Sequence, residues 1–411
     1  MDASTNKLSG LLSAEEATAT LLALARPPQQ SKRIRTENAL GRVLAQPAIS
    51  TINVPSFDNS AMDGYAVRTQ DVQSNTTLPI SQRIPAGTHP APLQPGTAAR
   101  IFTGAPIPAG ADAVVMQEHC ELIKDSILVQ RITQPGDHIR RQGDDIRYGA
   151  QALGHGLRLT PQALGMAASV GLAELEVFPR LRVALFTTGD ELVAPGTPLQ
   201  PGQIYNSNRA TLYGLLQQLG CEIIDLGQVE DTLSATQNAL REASACADVI
   251  LTSGGVSVGE EDHVKEAVQS LGQLDLWRIA IKPGKPLAFG RVANADFIGL
   301  PGNPVSAFVT FLLFARPFLL KRMGVEKTSL FPTPLKVQAG FAHSKSGTRR
   351  EYFRVRIEQD HGELRATPYN SQSSGVLSSC VWAEGLAVVP EGITFEKGKL
   401  LDYLPFSELM A

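Results

Sequence analysis

Cysteine is scarce in this chain. Only Cys120, Cys221, Cys246 and Cys380 occur in 411 residues, with no CxxC and no His-paired spacing. That spacing argues against a zinc cluster and a disulfide framework, and leaves reduced thiols of the cytosolic kind. A dense Lys/Arg block is also missing, and the formal net charge is −3. Neither nucleic acid nor an anionic membrane surface is therefore expected as a partner, and any electrostatic function must be local. The opening MDASTNKLSGLLSAEEA has no basic stretch leading into an apolar core, and the longest apolar run is broken by Arg316 and Pro317. No export signal and no membrane span are expected, and the expected location is cytoplasmic. GxxxxGK[ST] is absent, which argues against a P-loop, and neither Ser253 nor Ser306 has an identifiable His/Asp relay behind it, which argues against a serine hydrolase. There is no internal repeat and no long low-complexity tract.

What is present is a long chain, 43% hydrophobic, with too many residues for one ordinary core. Ser13 and Glu16 have capping-box spacing ahead of an apolar helix that Pro27-Pro28 must stop. A second short helical signal lies in TENALGRVLA. From about 49 to 146 the pattern becomes short strand-like runs between Gly and Pro, among them GYAVR, LPISQRI and DAVVMQE, which reads as a β-rich insertion. A helix-prone segment, ALGHGLRLTPQALGMAASVG, follows. From about 181, RVALFTTGDEL, NRATLYGLLQQLG, CEIIDLGQVED, TLSATQNALREASACA and DVILTSGGVS alternate strand and helix, which predicts a mainly parallel sheet with helices on both faces. The last part, with LKVQAGF, EYFRVRIE, ELRATPY and LAVVPEG, alternates with a strand period and predicts a small all-β unit.

In parallel sheets, loops at the carboxyl ends of the strands share one crevice. Those loops carry the polar residues: Thr188 to Glu191, then Glu230 and Asp231, then Ser253, Gly254, Gly255 and Asp262. Gly254 and Gly255 let the backbone turn without a Cβ penalty. Lys282-Pro283-Gly284-Lys285 places two ammonium groups on a stretch that proline and glycine keep out of regular helix. Ser306 lies at the start of a long apolar helix, where free N–H groups attract anions. These features point to an oxyanion or phosphate site. Glu191, Asp231 and Asp262 read either as helix caps and surface acids or as magnesium ligands, since oxygen donors without Cys or His suit magnesium over zinc.

TTGDEL, TSGGVSVGEED, IKPGKPLAFG, GLPGNPVSA, FDNSAMDGYAV and IRRQGDDI, in that setting, resemble the molybdopterin molybdenumtransferase family, to which the E domain of gephyrin is similar. The resemblance implies a multidomain α/β plus β chain. Its parts would be a helical elongated domain over 1–48 and 147–180, a β-rich inserted domain over 49–146, a central mainly parallel α/β molybdopterin-binding-like domain over 181–328, and a C-terminal β-barrel over 329–411. It also implies a homodimer, with a molybdopterin adenylyltransferase upstream. The implied reaction moves molybdenum from molybdate onto adenylylated molybdopterin with Mg2+-dependent release of AMP. Lys282, Lys285 and Ser306 would hold molybdate, joined by Arg354 and Ser374. Glu191, Asp231 and Asp262 match the acidic positions, and Pro301 and Pro304 the PGNP turn. Asp58, Thr103, Arg140 and Asp145 would complete the cleft from the other subunit. Gln142 and Asp144 depart from the family pattern in IRRQGDDI. A molybdopterin adenylyltransferase and a non-catalytic dimeric scaffold are the alternative readings.

Overall fold

The computed structural model describes residues 11–256, 263–326, 330–360 and 362–410. Ser13 opens the first helix, Ala14–Leu24, with the expected reciprocal cap: its hydroxyl accepts from Glu16 N at 3.2 Å and its N–H donates to Glu16 Oε2 at 2.9 Å. Ala14, Ala17, Leu21 and Leu22 bury one face of this helix in the main core of the central sheet. The second helical signal is not realised. TENALGRVLA forms only a single 3-10 turn, Thr36–Asn38, before Val43 and Leu44 bridge to Arg158 and Val177. Pairing with distant backbone overrides a weak local propensity there.

Short antiparallel pairs tie the segments on either side of the insertion together, Lys32–Arg35 with Glu174–Val177 and Ala48–Ile49 with Gln151–Leu153. The helix Pro161–Ser169, capped by Thr160, closes their shared apolar cluster around Leu44, Leu159 and Ala167. Between them sits a six-stranded sheet in the order 113–116, 64–67, 98–101, 76–84, 126–129, 120–123.

The central sheet runs 222–229, 182–188, 249–253, 295–300, 286–292, 272–278, the first four strands parallel and the last two antiparallel. Because side chains alternate along a strand, Val183, Leu185, Val249 and Leu251 enter one apolar layer while Ala184, Phe186 and Ile250 enter the other. Ser207–Leu219 packs on the first layer and Leu233–Cys246 and His263–Leu271 on the second. The first layer also holds the apolar helix 304–322. Among the described residues it is the one helix long and apolar enough to cross a membrane, and 83% of that stretch is buried inside the protein, as a core helix is. Its turn Phe311–Ala315 is π-helical. Pro317 has no N–H to give and its ring crowds the carbonyl four residues earlier, a defect that a widened turn absorbs.

Five strands, 350–360, 363–368, 335–339, 400–405 and 385–389, close into a barrel because the first also pairs with the last. Ile281–Lys282, which ends on the first of the two lysines, joins this barrel in parallel with Arg350 and Glu351. The four cysteines form no disulfide. Phe318 is fully buried, edge-on to Phe289 at 5.3 Å between ring centres. Phe318→Ala is expected to lower stability by about 3–5 kcal/mol, read from chemical denaturation.

Candidate functional site

At the carboxyl ends of the parallel strands the chain leaves a cavity of about 630 Å³. Strand 182–188 delivers Thr188, Gly189 and Glu191, the next strand Asp231, and strand 249–253 delivers Gly254 and Gly255. The 283–286 turn adds Lys285 and is preceded by Lys282. The turn before helix 304–322 adds Pro301, Gly302 and Asn303, and Ser306 follows in its first turn. From the barrel come Arg349, Gln372, Ser373 and Ser374. Glu191, Asp231, Gly254, Gly255, Lys282, Lys285, Pro301, Ser306 and Ser374 are thus brought together. Asp262 lies outside the described residues.

Backbone geometry explains the glycines. Gly254 has φ +99°, and a Cβ there would stand 2.6 Å from the Thr188 carbonyl oxygen. Gly284 has φ +102°, and its Cβ would meet Thr310 Oγ1 at 2.4 Å. Only glycine satisfies both the left-handed φ and the close approach. Thr188 Oγ1 is buried without a hydrogen-bond partner among the described residues, an orphan on the cavity wall of the kind a bound ligand satisfies. Lys282 Nζ is held at 2.9 Å by Glu351 of the barrel, whose side chain is only 13% exposed. The lysine is therefore fixed from the opposite unit.

Several expected roles change. Ser253 is 2% exposed and is absent from the lining; its hydroxyl donates to the Pro301 carbonyl at 2.9 Å and accepts from Asn208 at 2.8 Å. It fixes two loops to each other and does not offer itself to substrate. Arg354 is 1% exposed, with its guanidinium donating to Ser379 Oγ, Tyr352 O and Ser373 O. It holds the Ser373–Ser374 loop from behind, and burial pushes its guanidinium pKa down. Arg349, five residues earlier, takes the place in the cavity. Pro304 starts the helix and does not line the cavity. Pro304 has no N–H and Val305 N donates to Ser374 O at 2.9 Å, so this helix start offers fewer donors to an anion than its sequence implies.

Asp58, Thr103, Arg140 and Asp145 do not reach this cavity within the chain. They gather on the insertion, where strand Asn59–Ser60 pairs with Ile139–Arg140. Asp58 accepts from Gln142 N at 2.8 Å and from Arg141 at 2.6 Å; burial raises its carboxyl pKa, but these two donors hold it below the usual range. Asp63 accepts from both Thr103 N and Thr103 Oγ1, which lower its pKa. Gln142 and Asp144 keep the turn closed, through Ser56 O and Arg141 N. Arg141 is the guanidinium that clasps Asp58, and adjacency of two arginines gave the sequence no means to choose between them.

Among the described residues no three His, Cys, Asp or Glu side chains converge as a metal cluster. Glu191 and Asp231 remain as two carboxylates on the wall. Magnesium is commonly bound by one or two carboxylates together with substrate phosphates, so this donor set fits it.

A crevice at the ends of a parallel sheet, walled by a β-barrel and lined by lysines and carboxylates, has the chemistry of a small-molecule site. Comparison with known proteins narrows this. Residues 12–171 match the MoeA N-terminal region (domains I and II), 184–321 a probable molybdopterin binding domain, and 336–406 the MoeA C-terminal region (domain IV). The chain belongs to the MoeA family. It is 40% identical to a molybdopterin molybdenumtransferase of Haemophilus influenzae over 97% of this chain and 100% of that protein. It is 39% identical to one of Nostoc over 87% and 84% respectively. A crystal structure of a molybdopterin biosynthesis moeA protein from Pyrococcus horikoshii superposes with a TM-score of 0.76 at 31% identity, covering 97% of this chain and 99% of that one.

Gly284→Ala is expected to cost more than about 1 kcal/mol, because it combines a forbidden φ with a collision. Chemical denaturation measures this, and Gly87→Ala, at φ +81° with open space around the new Cβ, supplies the φ-only reference.

Proposed function

We propose that this protein is a molybdopterin molybdenumtransferase, which moves molybdenum from molybdate onto the dithiolene of an adenylylated molybdopterin and releases AMP in a magnesium-dependent step. The observation that carries this reading is the shared lining of one cavity by Lys282, Lys285, Arg349 and Ser306 with Glu191 and Asp231. Molybdate is a tetrahedral dianion, for which ammonium, guanidinium and hydroxyl donors are the appropriate ligands. Lys285 and Arg349 bind it in this scheme, Lys282 does so from its seat on Glu351, and Ser306 and Ser374 orient its oxygens. Glu191 and Asp231, with Asp262, would hold Mg2+, which when bound offsets negative charge on the phosphoanhydride.

The working form is a homodimer in the cytoplasm, and Asp58, Thr103, Arg140 and Asp145 of the partner subunit complete the cleft. A molybdopterin adenylyltransferase supplies the substrate. The alternative, that this chain itself adenylylates molybdopterin from ATP, is disfavoured because the barrel contributes Arg349, Gln372, Ser373 and Ser374 to the wall, so the cavity depends on more than the central sheet. A non-catalytic scaffold gives no reason to keep cations and carboxylates on one wall.

Purified protein supplied with adenylylated molybdopterin, Mg2+ and molybdate is expected to release AMP only when molybdate is present. Adenylylation from ATP would replace the proposal with the alternative, and inert binding would leave a scaffold. Asp231→Asn and Lys285→Ala are each expected to lower turnover by about 10²-fold or more, the scale for removing a preorganised charge. Wild-type turnover in both would remove their roles.

A further inference from the structure

A second cavity, of about 550 Å³, lies at the far end of helix Ser207–Leu219. The amino end of that helix reaches the first cavity, where Asn208 donates to Ser253 Oγ and Gly302 O. Its 13 residues put about 20 Å between the two places. Three guanidiniums line the second cavity: Arg158, Arg180 and Arg316. Arg158 donates to Gln218 O and Leu219 O, Arg180 to Gly220 O at 2.8 Å, and Arg316 to Leu330 O at 2.9 Å. Capping the carbonyl end of a helix accounts for part of each of the first two forks. A guanidinium carries five N–H donors, so these contacts leave several on Arg158 and on Arg180 directed elsewhere, whereas Arg316 also donates to Glu408 O at 3.3 Å.

Charge is the unresolved quantity. Arg42, 7% exposed, stands near Arg180 and donates to Phe178 O. Among the described residues no carboxylate forms an ion pair with Arg42, Arg158 or Arg180, and Glu408 is the one acid in the lining. Burial and repulsion from Arg158 push the Arg316 guanidinium pKa down to about 10, against an opposing pull from Glu408. Gathering like charges in a half-buried space is costly unless an anion joins them. The remaining wall, with Leu40, Leu159 and Phe331, is apolar.

We infer that this cavity is a binding site for a tetrahedral oxyanion of the phosphate class, free or carried on a small apolar body, gripped by Arg158 and Arg180. Forked guanidiniums match such oxygens two at a time, and the apolar wall accepts the body. The site is separate from the one proposed for molybdate.

The test is thermal unfolding and calorimetric titration of the full-length protein with inorganic phosphate and with phenyl phosphate, at ionic strength matched with chloride. Both are expected to bind and to raise Tm by about 2 °C or more at saturation. Tighter binding of phenyl phosphate identifies an organic phosphate as the ligand, and equal binding identifies the free ion. Arg180→Ala is expected to weaken binding at least ~10-fold. Leu40→Glu, at a 54% exposed position on the lining, sets a carboxylate in the mouth without touching a helix cap, and is expected to do the same while folding normally. Lys285→Ala, in the first cavity, is expected to leave the response intact. No response beyond that of chloride, an undiminished response in Leu40→Glu, or loss of the response in Lys285→Ala would each overturn the inference.

Discussion

Everything at the first cavity depends on a two-residue strand. Ile281 and Lys282 pair with Arg350 and Glu351 of the barrel, and the ion pair Lys282–Glu351 reinforces the join. Without it the central sheet would end in an open crevice. With it, the turn that carries Lys285 is fixed to the unit that carries Arg349, so the two cations are positioned by one continuous hydrogen-bonded network. The Gln372 side chain extends that network, accepting from Arg354 N and donating to Arg354 O and Tyr369 O. Buried polar groups that are satisfied in this way stiffen what they join.

The sequence conveyed the architecture well because strand-like and helical segments follow one another in a regular order. Near-continuous apolar runs at 182–188 and 249–253, separated by helical segments, mark strands buried on both faces, and the glycine after Leu219 ends its helix in the left-handed conformation, φ +80°. The Gly/Pro turns were legible too, since Gly254 and Gly284 have a steric requirement that leaves few alternatives. Side-chain direction was not legible. Ser253 and Arg354 have the right chemistry and turn away from the cavity, one to fasten two loops and the other to brace the serine loop. Arg349 was invisible because it stands beside Arg350 in TRREYF, and only the pairing of 281–282 with 350–351 decides which of them reaches the wall.

The two cavities also illustrate how a chain of nearly balanced charge builds local fields. Ion pairs balance many surface charges, as Arg182 does Asp248 and Arg209 does Asp225. The arginines around helix Ser207–Leu219 are answered by backbone carbonyls instead, which satisfies hydrogen bonding but leaves the net charge in place. Composition reports only the sum, −3, and conceals both concentrations.

The insertion leaves and rejoins its host at one spot, because Ala48–Ile49 and Gln151–Leu153 lie side by side. A large excursion attached through such a narrow stem imposes almost no geometric demand on the body that bears it. Because the two ends of the excursion already lie side by side, its length and composition can vary without any change in the path of the chain that carries it.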